Sequence, residues 1–287
     1  MTLTFTTHGD SLDPTFNQLL GINDFGEIAG YFGSGATDHP NKGYTVNAPY
    51  NQSEFVNENY PGSVQTQVTV INNVDHTVGF WADAAGDNFG FVDHDGKFTN
   101  VVDPNAPKAG GATPTVQQLL GVNDENIAVG FYTDSAGNNH GFTYNINSGG
   151  FNAVNIAGYS SVTATGINDY GHISGFVQNG ANSEGFLEEN GKIDLLTGPK
   201  GAVSVQALGV NNEDQVVGSY TDAAGNTHGF LYDESSKSYA TVDDPNAKGM
   251  TVVNGINDTG QLVGFYLDAH GNTDGMLVQV SGSSYHH

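Results

Sequence analysis

The sequence predicts an all-β fold: a six-bladed β-propeller with four antiparallel strands per blade, closed by the N-terminal strand joining the C-terminal blade. Three observations lead there. An Ile/Val-Asn-Asp/Asn turn, followed by a hydrophobic run and two Gly-aromatic steps, recurs six times. Its asparagines Asn23, Asn72, Asn123, Asn168, Asn211 and Asn257 stand 49, 51, 45, 43 and 46 residues apart, a period of repeat arrays and propeller blades. Each repeat also reads as four short strands, yet six three-strand units are followed by only five fourth strands. The missing one fits only at the other end of the chain, in residues 2–7, where it removes two open sheet edges at once.

Taken in order, the blades are expected near residues 17–57, 66–102, 115–155, 162–197, 205–243 and 251–280, the last completed by 2–7. The third repeat shows the pattern. Residues 117–122 alternate toward the Asn123-Asp124 turn, 127–132 form a second strand, 141–145 a third and 151–155 a fourth. We label these strands a to d. Joins such as Asp134-Ser135-Ala136-Gly137-Asn138 place Asp at a turn start and Gly where positive φ is needed. Glycine recurs in strand a of five repeats and in strand b of all six, which predicts close approach of another backbone near an axis. Residues 1–281 are read as one propeller and 282–287 as an appended tail.

Composition narrows the partners. Thirty-one acidic residues against seven basic ones give a net charge of −24, so nucleic acid and anionic membranes are excluded as electrostatic partners and cations are favoured. The absence of cysteine removes disulfides and thiolate metal sites. No apolar run reaches the roughly 18 residues that span a bilayer, and residues 1–5 lack the features of a signal peptide. No organic cofactor motif is present: phosphate loop, nucleophile elbow, His-Glu-x-x-His and EF-hand loop are all missing.

Several phrases carry a family resemblance. Gly264-Phe265-Tyr266-Leu267-Asp268-Ala269-His270-Gly271-Asn272, His228-Gly229-Phe230-Leu231-Tyr232 and Tyr239-Ala240-Thr241-Val242-Asp243-Asp244-Pro245 resemble the bacterial HAF repeats, described as extracellular repeats. The resemblance covers nearly the whole chain and implies an exported bacterial protein, extracellular or periplasmic, with its signal peptide absent from this sequence. The family carries no single activity to transfer. The His of its signature survives only at His140 and His228; Lys42, Phe89, Glu184 and Asp274 fill the slot elsewhere, which argues for local loop ties rather than a shared catalytic group.

Loops b–c and d–a are longer than a–b and c–d, so one face of the ring becomes a loop-rich mouth over the central channel, the expected ligand site. There His8 with Asp10 or Asp13 forms a candidate acid–base set. His39, Trp81, Asp103, Tyr132, Tyr220, Asp243 and Tyr266 are candidate ligand-binding groups. The aromatics among them could stack on a sugar, although their repetition fits inter-blade core. On the opposite face the six turn asparagines are candidate ligands for Ca²⁺ or another divalent cation through amide and backbone oxygens; the competing reading is an Asx-turn in which each side chain ties its own hairpin. Two functions follow. The first is a cation-stabilised ligand-binding or structural module of the cell exterior, taking a small molecule or glycan at the mouth. The alternative is a metal-dependent hydrolase of esters, lactones or phosphoesters, using an axial ion and a mouth His or Asp.

Overall fold

The first strand of the chain hydrogen-bonds to the last described one. In the computed structural model, which describes residues 1–111 and 113–282, Thr2–His8 runs antiparallel to Thr273–Ser281, with Thr2 opposite Ser281 and His8 opposite Gly275. That sheet has the order N-terminal strand, Thr273–Ser281, Gln261–Leu267, Thr251–Ile256, and the other five are simple four-stranded meanders. The fold is the expected ring of six four-stranded blades, with the N-terminal strand serving as strand d of blade 6. Residues 283–287 of the expected tail lie outside the described residues.

The inner strands a are Asn17–Ile22, Gln65–Ile71, Gln117–Val122, Val162–Ile167, Ala202–Val210 and Thr251–Ile256. Two outer strands are shorter than the sequence suggests. In blade 1, whose repeat suggests a fourth strand over 53–57, a 3₁₀ turn over Gln52–Glu54 precedes a strand of only Phe55–Asn57, and in blade 2, whose repeat suggests one over 97–101, it covers Thr99–Val101. The core lies between blades: Leu19, Ile22, Ile28, Tyr44 and Val46 of blade 1 pack with Val263 and Leu277 of blade 6. Hydrophobic burial therefore holds the ring closed as well as filling each blade.

The two sets of strand glycines answer to different contacts. A Cβ on Gly166 of strand a would lie 3.0 Å from the Gly209 Cα of the next blade, and one on Gly255 would lie 2.8 Å from the Leu20 carbonyl. This is the convergence at the axis that the sequence predicts. The strand b glycines instead face their own blade: a Cβ on Gly130 would sit 1.9 Å from the Gln118 carbonyl. Next to each of these glycines strand a carries a β-bulge, at Leu20, Thr69, Leu120, Thr165, Leu208 and Asn254. A bulge bends its strand and increases the local twist, and the sequence pattern gave no sign of it. The polar bulge residues also stitch blades together: Thr69 donates to Leu119 O, Thr165 to Ala207 O and Asn254 to Leu19 O.

Candidate functional site

Two concentric hydrogen-bond rings surround the axis at the a–b turns. In the first, each turn asparagine donates its side-chain N–H to the backbone carbonyl of the next: Asn23 to Asn72, then Asn123, Asn168, Asn211, Asn257 and back to Asn23. The side-chain oxygen accepts from its own hairpin; Asn23 Oδ1 takes the N–H groups of Phe25 and Glu27. The Asx-turn reading is the one this geometry bears out. The amide oxygens expected as cation ligands are engaged by such N–H groups, two each on Asn23, Asn72, Asn168, Asn211 and Asn257 and Ile127 N–H on Asn123, which leaves them little capacity for a cation.

The second ring belongs to the residue after each asparagine: Asp24, Asn73, Asp124, Asp169, Asn212 and Asp258. Each backbone N–H donates to the Oδ1 of the next member at 2.8 Å, and the sixth bond returns from Asp258 to Asp24. Asn73 bridges the second oxygens of Asp24 and Asp124, and Asn212 those of Asp169 and Asp258. Two amides cannot separate four carboxylates in a ring of six. Asp124 therefore stands beside Asp169, and Asp258 beside Asp24, with no donor side chain between them. Burial pushes the Asp258 carboxyl above its usual range, and the Asp24 and Asp169 carboxylates add to it. These rings line an axial cavity of about 100 Å³ that has no Lys, Arg or His among its described lining residues. Sequence reading singled out the asparagines and missed the acids beside them, because Asp and Asn alternate irregularly at that position.

At the mouth the expected catalytic set is not assembled. The His8 ring contacts Thr6 Oγ1 at 3.2 Å and packs on Tyr50, and burial lowers its pKa. Asp10 and Asp13 point elsewhere. Asp10 Oδ1 accepts from Leu12 N–H and Gln52, while Asp13 accepts from Thr15 and from His39 Nδ1 at 3.0 Å. Burial raises the Asp13 carboxyl, but bonds from Thr15 and His39 outweigh it and leave it below its ordinary value. The imidazole–carboxylate pair of this loop is thus His39–Asp13. His8 also ends an outermost strand, so it sits at the rim and about 20 Å along the strands from the axial acids.

The remaining mouth groups are mostly structural ties. Asp103 and Asp244 are buried Asx-turn acids that accept from Asn105 and Asn246. Tyr132 stacks on His140, which reaches Asp134 at 2.8 Å; Tyr220 stacks on His228, which lies between Asp243 and Asp222 at 2.8 and 3.3 Å. The bond to Asp243 raises the His228 pKa despite desolvation. Trp81 is stacked at 4.4 Å on Tyr60, packs against Phe89 and donates to Asn100. Tyr266 is 4% exposed and bonds Thr7. Its burial places it in the inter-blade core and takes its ring faces from any sugar at the mouth, a correction to its expected ligand role.

A second cavity, of about 190 Å³, opens on the mouth side between blades 1 and 2. Asn41, Gln65, Gln67, Asn88, Asp83, Phe80, Ala82 and Gly86 line it. Gln67 donates to Asn41 Oδ1 at 2.9 Å, Asn41 to Gly33 O at 2.6 Å, and Gln65 to Gly35 O at 3.4 Å. None of the mouth residues expected from sequence lines it; Trp81 lies between the lining residues Phe80 and Ala82, and His39 is two residues from Asn41. Its groups come from strand ends and b–c loops of two blades, so no local motif announces them.

The arrangement defines a six-bladed β-propeller with an acidic axial cup and an amide-lined cavity at its mouth. No family model matches the chain, the HAF repeats included, and no curated protein matches it. Solved structures do. A putative TolB from Agrobacterium tumefaciens is similar with a TM-score of 0.63 at 10% identity, covering 99% of each chain. An oligogalacturonate lyase from Vibrio parahaemolyticus gives 0.54 at 10% identity over 100% of this chain and 99% of the other. The Aleuria aurantia lectin, solved with Fucα1-6GlcNAc, gives 0.56 at 10% identity over 94% and 93%. At such identities the likeness is one of fold. No helix among the described residues is long and apolar enough to cross a membrane.

Proposed function

We propose that this chain is a ligand-binding propeller of the cell exterior that takes a small neutral polar ligand, of the sugar class, in the mouth cavity between blades 1 and 2. The observation that carries this reading is the cavity's lining: four amide side chains, one carboxylate and one phenyl ring, with no cationic group among the described residues. Amides present both donors and acceptors, as a polyol does, and an aromatic ring offers a face to C–H groups. A volume of about 190 Å³ lies below the roughly 300–1,000 Å³ of drug-sized sites, so the occupant is about one sugar ring. The lectin and lyase in the fold neighbourhood act as precedents for carbohydrate at a propeller. A divalent cation such as Ca²⁺ is assigned to the axial cup, where it would neutralise adjacent carboxylates and stabilise the ring. Titration of purified protein with a panel of neutral monosaccharides, by calorimetry and ligand-observed NMR, tests the reading. Saturable binding weakened at least about tenfold by Asn88→Ala and by Phe80→Ala, with unchanged melting, is expected. Failure of every sugar to bind overturns it.

A further inference from the structure

The same three positions of the repeat recur on the turn face from blade to blade, and at the junction of blades 4 and 5 they meet. They are the fourth residue after the turn asparagine, the residue facing it at the end of strand c, and the third residue after the next blade's asparagine, which has positive φ. Three junctions fill the last position with glycine, at Gly26, Gly171 and Gly260. The other three fill it with Asp75, Asn126 and Asp214, at φ of 61°, 62° and 55°, a left-handed conformation that most residues with a side chain avoid. The other two positions of those repeats hold Glu27 and Asn47, His76 and His94, and His172 and Glu189. The strained turn residue occurs only where the residue four after the asparagine is ionisable.

The structure assigns the junction of blades 4 and 5, formed by His172, Glu189 and Asp214, as a binding site for a transition-metal dication of the Zn²⁺ class. One ligand atom from each of the three lies within 4.8 Å of the others. His172 Nδ1 is 2.7 Å from Asp214 Oδ1, its side chain is 13% exposed, and Asn190 Nδ2 is 3.1 Å from Nε2. As the site stands, Nδ1–H donates to Asp214 and Nε2 accepts from Asn190. A metal would replace the Nδ1 proton, and a turned Asn190 amide would accept from Nε2–H, the outer contact that fixes a ligand imidazole. Asn168 Nδ2 donates to Asp214 Oδ1 at 2.9 Å and fixes the carboxylate in place.

The donor set selects the metal. One imidazole nitrogen and two carboxylates suit Zn²⁺, Co²⁺ or Mn²⁺, whereas an all-oxygen set would suit Ca²⁺ or Mg²⁺. Lys192 Nζ, 3.4 Å from Glu189 Oε2, competes for that carboxylate but is shared with Asp194 and Glu234. None of the three ligands lines the axial cavity, so this site is separate from the axial cup. The same positions at blades 2 and 3 hold His76 Nδ1 and Asn126 Oδ1, both buried without a partner. Polar atoms are seldom left so, and there too the junction has donor atoms that its own side chains do not satisfy.

The test is calorimetric titration of chelator-treated protein with Zn²⁺ alone, together with visible absorption on adding Co²⁺ alone. Expected are binding of about one equivalent of Zn²⁺ and Co²⁺ ligand-field bands, both weakened at least about tenfold by His172→Gln and by Asp214→Asn. Glu189→Gln, at the exposed turn face, supplies a third variant should either of those fail to fold. His76→Gln is expected to leave the site's Zn²⁺ affinity unchanged. Absence of Zn²⁺ binding to wild type up to 1 mM, or wild-type affinity in every folded ligand variant, overturns the assignment.

Discussion

Asn257 Nδ2 donates to the Asn23 carbonyl at 2.9 Å, a bond between residues 234 apart in sequence that joins blade 6 to blade 1. It is one of six equivalent bonds, and the outer Asp/Asn ring closes at the same junction through Asp258 N–H and Asp24 Oδ1. Each ring is complete only if blades 1 and 6 are held together. The core around Leu19, Ile28, Val263 and Leu277 joins those two blades, and blade 6 is itself complete only with the N-terminal strand, whose Leu3 and Phe5 pack against its core.

Deleting residues 1–7 should therefore cost far more than trimming a loose terminus. It removes six of the seven pairs of the strand ladder and exposes the edge of Thr273–Ser281. The expected outcome is a fall in Tm of at least about 10 °C, or loss of a single cooperative transition, by calorimetry. A truncated protein melting within about 2 °C of wild type would mean that the ring closes without its N-terminal strand.

The axial acids make an opposite prediction, in which removing charge stabilises. Asp124 and Asp258 each sit beside a like-charged neighbour across a blade junction. Converting both to Asn should relieve two repulsions and raise Tm in chelator by about 2–6 °C. The same double variant should lose the Tm increase that millimolar Ca²⁺ gives wild type. Equal Ca²⁺ responses in the two proteins would take the cation out of the axial cup.

The ring was legible in the sequence because its determinants repeat. Asn23 and its five counterparts fix the period, and the surplus of strand a at one end of the chain implies strand d at the other. The candidate sites were less legible because they depend on differences between repeats. Asn73 and Asn212 look like neutral variants of Asp, yet they decide which carboxylates are left unseparated. Asn41, Gln67 and Asn88 are ordinary polar residues until blades 1 and 2 bring them around one cavity. His8 and Asp13 are five residues apart on a loop, and proximity in sequence suggested a pair. The loop instead turns Asp13 toward His39, 26 residues on, and only the long b–c loop of blade 1 brings that imidazole there.

Between blades 1 and 2 lies a buried acid pair whose titration should be visible in the stability of the whole protein. Burial and the neighbouring Asp93 carboxylate push the Glu58 carboxyl up to about 7, against a partial offset from the Thr77 hydroxyl. Asp93 is 4% exposed and its Oδ1 has no donor in the structure, so a proton on Glu58 supplies the bond that oxygen lacks. An unfolded glutamate titrates near 4.3. The folded state therefore binds the proton more tightly, and the resulting stability is fully present below about pH 4.3 and lost as pH rises through about 7. The aspartates held low act in the reverse sense: Asp222, at about 2 through its bonds from Asn226 and His228, contributes above the ordinary aspartate range and is lost as pH falls toward 2. Stability should peak between these limits, on the acid side of neutrality. Glu58→Gln mimics the protonated carboxyl, so its effect must depend on pH: a Tm about 3–6 °C above wild type at pH 8, shrinking to within about 1 °C at pH 5. Melting curves of the two proteins across that range decide the matter, and an offset that stays constant from pH 5 to 8 would show that Glu58 does not carry the proton.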